Sequence, residues 1–175
     1  MLREYGADLA PVYGGARPNG REFRAVHGHF SPARFWSAGR KAKTIMWLRD
    51  PVERIASYYD FWSGTERHGN PNHDEFLRRD MSLTEFASWD PIRTEFTHDY
   101  VAGLEPDDVF FLGVTERYEA DLGRLATLLD WSTAGAIVET NVTPGDRSVV
   151  DDATRTAILE AHASEAEWYR AALRR

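Results

Sequence analysis

Thr44-Ile45-Met46-Trp47-Leu48-Arg49-Asp50-Pro51-Val52-Glu53-Arg54-Ile55-Ala56-Ser57-Tyr58-Tyr59-Asp60-Phe61-Trp62 is the stretch whose reading decides the fold. Residues 44–48 form a short apolar run, which predicts an inner strand of a parallel sheet. Asp50 suits a helix N-cap and Pro51 the first helical position. Glu53, three residues past the cap, completes a capping box. Ile55, Tyr58, Tyr59 and Trp62 then fall on one stripe, so the helix turns an apolar face to a core. Arg49 stands at the carboxyl end of the strand, and Ser57 lies about two turns along the helix. Open α/β sheets bind ligands at this edge, and anions favour helix N-termini. An arginine fork with a hydroxyl nearby makes a phosphate grip. The plain alternative is an ordinary strand-to-helix corner in which Arg49 only closes the strand end.

Working outward, Leu2 to Leu9 reads as the end of a helix, and Gly14-Gly15 and Pro18-Asn19-Gly20 as an exposed loop. Phe23 to Phe30 is a strand candidate and Pro32 to Ala38 a short helix. Ser63 to His73 is polar and holds Gly64, Gly69, Asn70, Pro71 and Asn72. It reads as a loop of the kind that shapes substrate sites on α/β frames. Ser82 with Glu85 signals a capped helix carrying Leu83, Phe86 and Ala87, and Pro91 to Val101 a second one. Val109 to Val114 is a strand, and Thr115 caps a helix through Leu129 with Leu122, Leu125, Ala126 and Leu129 inward. Asn141 to Arg147 is a loop, and Asp151 or Asp152 caps a last helix running to about Leu173. This order predicts one three-layer α/β domain over residues 1–175.

The chain's 175 residues, 42% hydrophobic and 28% charged, suit one soluble globular domain with a real core. A net charge of -7 argues against a general nucleic-acid binder while leaving room for a local basic pocket. Lys41 and Lys43 are the only lysines, so arginine carries most of the positive charge. Cysteine is absent, which excludes disulfides, thiolate metal sites and a cysteine nucleophile and is compatible with a cytoplasmic location. No apolar run reaches the ~18 residues of a membrane span, and Met1-Leu2-Arg3-Glu4-Tyr5 is not a signal peptide. Nothing in the sequence sets the oligomeric state.

Val26-His27-Gly28-His29-Phe30 is the second informative stretch. In an extended strand His27 and His29 point to one face, and Gly28 lets a ligand approach the backbone. A histidine titrating near neutrality serves as a general base worth ~10²–10⁴-fold. Two other readings stand beside this one. The pair can be core-edge histidines bonded to carbonyls. It can also ligate a metal with His68, His73 or His98, the chemistry of a histidine-metal hydrolase. No spacing of the His-Glu-x-x-His kind supports the metal, so none is expected.

These residues resemble the sulfotransferases. Arg49 and Ser57 match the spacing of that family's 3'-phosphate-binding element on strand, turn and helix. The wording Leu48-Arg49-Asp50-Pro51-Val52-Glu53-Arg54, Ser57-Tyr58-Tyr59 and His27-Gly28-His29 is similar to the carbohydrate branch, of heparan 2-O type, and its bacterial relatives. Weaker likenesses are Phe111 to Tyr118, Asn141-Val142-Thr143-Pro144 and Trp168-Tyr169. The resemblance implies a P-loop-NTPase-like parallel sheet flanked by helices. It implies a donor, 3'-phosphoadenosine-5'-phosphosulfate, and a carbohydrate or glycolipid acceptor. It makes His29 the base with His27 assisting, and gives the 3'-phosphate to Arg49 and Ser57. Arg147, in Gly145-Asp146-Arg147, is either a solvated loop arginine or the basic residue that closes over the nucleotide.

The family's 5'-phosphosulfate cradle, a Pro-Lys-x-x-x-Thr-Ser-like loop between first strand and first helix, has no counterpart here. Tyr13-Gly14-Gly15-Ala16 lacks the lysine and hydroxyls. The expectation is an N-terminally truncated version of the fold, beginning inside the first helix near Leu2, with weakened donor binding. A catalytically inactive nucleotide-binding module of the same fold is therefore the main alternative to an active transferase.

Overall fold

The structure, a computed structural model, describes residues 9–12, 25–28, 31–35, 43–67, 69–131 and 148–175. The chain is α/β: two pairs of short parallel strands and a set of helices. Strand β1 (Leu9–Val12) pairs with β2 (Ala25–Gly28), and β3 (Ile45–Leu48) with β4 (Phe111–Val114). The helices are α1 (Pro51–Ser63), α2 (Pro71–Arg79), α3 (Leu83–Ser88), α4 (Asp90–Arg93), α5 (Tyr118–Leu129), α6 (Asp152–Ala161) and α7 (Ala163–Leu173). Leu9 opens a strand rather than closing a helix, and Pro32–Phe35 is a single 3-10 turn. Among the described residues no helix is long and apolar enough to cross a membrane.

The β3–β4 register pairs Met46 with Leu112, Trp47 with Gly113 and Leu48 with Val114. Alternation sorts these residues onto two faces. Leu48, Leu112 and Val114 join Phe96, Val101, Trp168 and Ala172 in one core, against α7. On the other face Trp47 lies over Tyr118 of α5, with ring centroids 4.5 Å apart, and beside Phe111 at 5.8 Å. The expected inner strand is thus only partly enclosed, since Ile45 remains 36% exposed.

Gly113 makes room for Trp47. A Cβ there would sit 2.5 Å from the indole Cε3 and Cζ3 atoms, closer than carbon atoms approach. Gly113→Ala is expected to cost about 1–3 kcal/mol through overpacking, read as a lower urea midpoint with an unchanged slope.

A second core lies under α1. Val52, Ile55 and Trp62 of α1 meet Phe76 of α2, Phe86 and Ala87 of α3, and Ile158 of α6. The stripe that the sequence predicts on α1 is the one that is buried, and it leaves the Arg49–Ser57 side outward.

Two predicted boundaries are corrected. The loop predicted for Ser63 to His73 ends earlier: Asn70 caps α2 through Asn72 N (3.0 Å) and His73 N (3.4 Å), with Pro71 at the first helical position. His73 is fully buried in α2, its Nε2 2.9 Å from the Trp62 carbonyl oxygen. The last helix, predicted as one, breaks at His162, whose φ/ψ of -114°/34° is not helical. Its Nε2 faces the Ala87 carbonyl oxygen at 3.0 Å. Asp151 caps α6, and Ser82 with Glu85 forms the expected capping box on α3. Thr115 caps nothing with its side chain; it opens a 3-10 turn that precedes α5. Phe96–Tyr100 continues α4's course as one π-helical turn.

Candidate functional site at the carboxyl edge of the β3–β4 pair

Arg49 follows the last residue of β3, and Asp50 caps α1 as the sequence predicts. The Asp50 carboxylate accepts hydrogen bonds from Val52 N (2.9 Å) and Glu53 N (3.2 Å). Two of the helix's open N–H groups are therefore already filled by its own cap, and a bound anion must be gripped mainly by side chains. The expected capping box does not form. The Asp50 N–H that Glu53 would have taken goes instead to Glu116 Oε1, at 2.8 Å, just past β4. Glu53 turns to Arg49, with Arg49 Nη2 3.8 Å from Glu53 Oε2.

Glu53 and Ser57, four residues apart in α1, share one side of the helix, and Arg49, just before the cap, reaches Glu53. The Arg49 side chain is 31% exposed, and Ser57 is half-buried with no hydrogen bond to its hydroxyl among the described residues. Both groups of the predicted grip are therefore partly exposed, and among the described residues the Arg49 charge meets a long surface ion pair with Glu53. Such pairs are worth about 0–1 kcal/mol.

The remaining predicted residues are placed as follows. His27 lies in β2, in register with Pro11 of β1. His29 and Arg147 lie outside the described residues. The described residues that follow them in sequence make the following contacts. Ser31, two residues past His29, donates from Oγ to the Ala102 carbonyl oxygen at 2.8 Å. Ala33 packs on the core that contains Leu48. Ser148, next after Arg147, gives its N–H and hydroxyl to the Asp60 carboxylate on α1, one turn past Ser57. Asp60 and Glu116 are site neighbours that sequence reasoning did not single out. Both act over separations of dozens of residues, where local spacing carries no signal.

Behind this edge lies a buried polar cluster. Arg54 Nη2 donates to Glu165 Oε2 of α7 at 2.7 Å, and its Nε to the other oxygen of the same carboxylate. Arg54 Nη1 reaches Glu95 Oε2 at 3.5 Å, and the Tyr100 hydroxyl donates to Glu95 Oε1 at 3.3 Å. His162 Nδ1 lies 3.4 Å from Glu165 Oε2, close enough for attraction but too poorly aligned for a hydrogen bond. Burial alone would lift the Glu165 carboxyl, but His162 and Arg54 outweigh it and hold it below the ordinary glutamate range. Burial, helped by Glu95, pushes the Tyr58 phenol up to about 12. Burial, with Glu95 and Tyr58, raises Tyr100 further. On α7, Tyr169 is raised by partial burial and by Glu116 and Asp50. These tyrosines stay protonated at neutral pH and act there through neutral hydroxyls, which donate and accept hydrogen bonds, or as packing surfaces.

Among the described residues no three His, Asp or Glu side chains form a metal-ligand group. Comparison with family models, with curated proteins and with solved structures finds no match for this chain. The case for a function therefore rests on the corner itself.

Proposed function

We propose that the chain is a sulfotransferase of the carbohydrate type, built on a three-layer P-loop-NTPase-like sheet. Its donor is 3'-phosphoadenosine-5'-phosphosulfate and its acceptor a hydroxyl of a carbohydrate or glycolipid. The observation that carries the reading is the β3–α1 corner. Arg49 leaves the carboxyl end of a parallel strand with its side chain 31% exposed, and Ser57 stands two turns along the following helix, half-buried. Arg49 supplies charge and a planar fork for the donor's 3'-phosphate, and Ser57 a hydroxyl donor. The donor supplies the sulfuryl group: a bond forms from the acceptor oxygen to sulfur as the bond from sulfur to the 5'-phosphate oxygen breaks. In this reading His29 takes the acceptor's proton, His27 assists, and Arg147 closes over the nucleotide.

The test is a calorimetric titration with 3',5'-adenosine bisphosphate, together with a sulfation assay. Arg49→Ala is expected to weaken binding at least tenfold, roughly the ~1.4 kcal/mol of one charged hydrogen bond, with an unchanged melting temperature. Unchanged affinity would remove the phosphate site. Binding without transfer would make the chain the inactive nucleotide-binding module.

A further inference from the structure

We propose that Glu53 sets the affinity of this phosphate grip: it pairs with Arg49 and is displaced when a phosphate binds. The inference rests on the phosphate reading above and goes beyond it, since Glu53 would then limit binding rather than assist it.

Two contacts lead there. The first is the 3.8 Å approach of Arg49 Nη2 to Glu53 Oε2. The second is the Glu116 carboxylate on Asp50 N, which takes the bond a capping glutamate would make. The helix-start N–H is thereby taken by another residue, and the Glu53 carboxylate approaches the arginine. In sequence Glu53 lies four residues after Arg49 and, on the same side of α1, four before Ser57, the two groups that are to share the phosphate. With its side chain 45% exposed, it has solvent to swing into.

A phosphate monoester brings close to two negative charges into this line. It must first break the Arg49–Glu53 pair, and then it sits beside the displaced carboxylate. Both steps oppose binding, one by competition and one by repulsion. Removing the charge at Glu53 while keeping its shape removes both. At surface dielectric and ordinary salt the combined effect is expected to be about three- to tenfold in affinity. Damage to a fold does not tighten a ligand, so the sign of the change separates this role from a merely structural one.

The experiment titrates 3',5'-adenosine bisphosphate against the parent chain, Glu53→Gln, Glu53→Ala, Arg49→Ala and the Arg49→Ala/Glu53→Gln pair, at low and at high salt. The expected result is about three- to tenfold tighter binding in both Glu53 variants, a smaller gain at high salt, and no gain once Arg49 is gone. If Arg49→Ala weakens binding but neither Glu53 variant strengthens it, the phosphate site stands and the role of Glu53 is overturned. If the gain persists without Arg49, competition for that arginine is overturned. If the parent does not bind, or Arg49→Ala changes nothing, both the site and this inference fall.

Discussion

Arg54→Ala is expected to destabilise the chain by about 3–5 kcal/mol, far more than any change at the neighbouring Arg49. Both residues are arginines with a carboxylate partner, and burial separates them. The Glu165 side chain is only 4% exposed and takes two hydrogen bonds from Arg54. Removing the guanidinium leaves that carboxylate in the interior beside the His162 ring, and adds a cavity where α1, α7 and the Glu95 segment meet. Urea denaturation at neutral pH measures the loss.

The pH dependence adds a second readout. Glu165 is held below its ordinary value of 4.5, so its contribution is complete above that pH and lost as the pH falls through the lowered folded value. Without Arg54 the lowering is smaller and there is less to lose. The gap between parent and variant should therefore narrow on the acid side of about pH 4.5. A gap that is small at neutral pH, or constant on acidification, would mean that the pair does not hold α1 to α7.

Phe86→Ala is expected to cost about as much, 3–5 kcal/mol, by the cavity mechanism. Phe86 has no exposed surface. Its ring meets Phe76 at 5.2 Å, Trp62 at 5.4 Å, Tyr58 at 5.6 Å and Tyr59 at 5.7 Å, all edge-on, so one truncation removes a partner from four aromatic rings. Three of those rings belong to α1, and they seat the helix that carries Ser57. Bisphosphate affinity should fall with stability in this variant. Phe61→Ala provides the control: Phe61 is on the same helix but 53% exposed, and its loss should stay within about 0.5 kcal/mol. Equal losses at the two positions would show that the helix is not seated on that cluster.

What was legible in the sequence was local. The Asp50-Pro51 start of α1, its buried stripe and the Ser82–Glu85 capping box depend on residues within a turn or two of one another, and they stand as read. Asn70-Pro71 uses the same start signal as Asp50-Pro51. The stretch nonetheless reads as loop, because Gly64, Gly69 and Asn72 crowd it with turn residues. Glu53 was read as a capping partner because its spacing satisfies one. A carboxylate 63 residues further on, Glu116, takes that bond instead. Arg54 with Glu165, and His162 with the Ala87 carbonyl, are likewise pairings across long separations that no local pattern announces. Of the candidate site, the strand, corner and helix that carry Arg49 and Ser57 are legible, because each is fixed by residues close in sequence. The histidine and loop-arginine assignments depend on how distant segments are brought together, which spacing alone does not encode.

The break at His162 lets one stretch of chain serve two interiors. Before it, Ile158 plugs the aromatic cluster beneath α1; after it, Trp168 and Ala172 lie against the strand pair. A rod running straight on would be set by one of these surfaces and miss the other. The bend makes the C-terminal segment a splint strapped across both. Neither half can open far without lifting the splint from its neighbour, so heat should take the described parts of the molecule apart in a single step rather than in two.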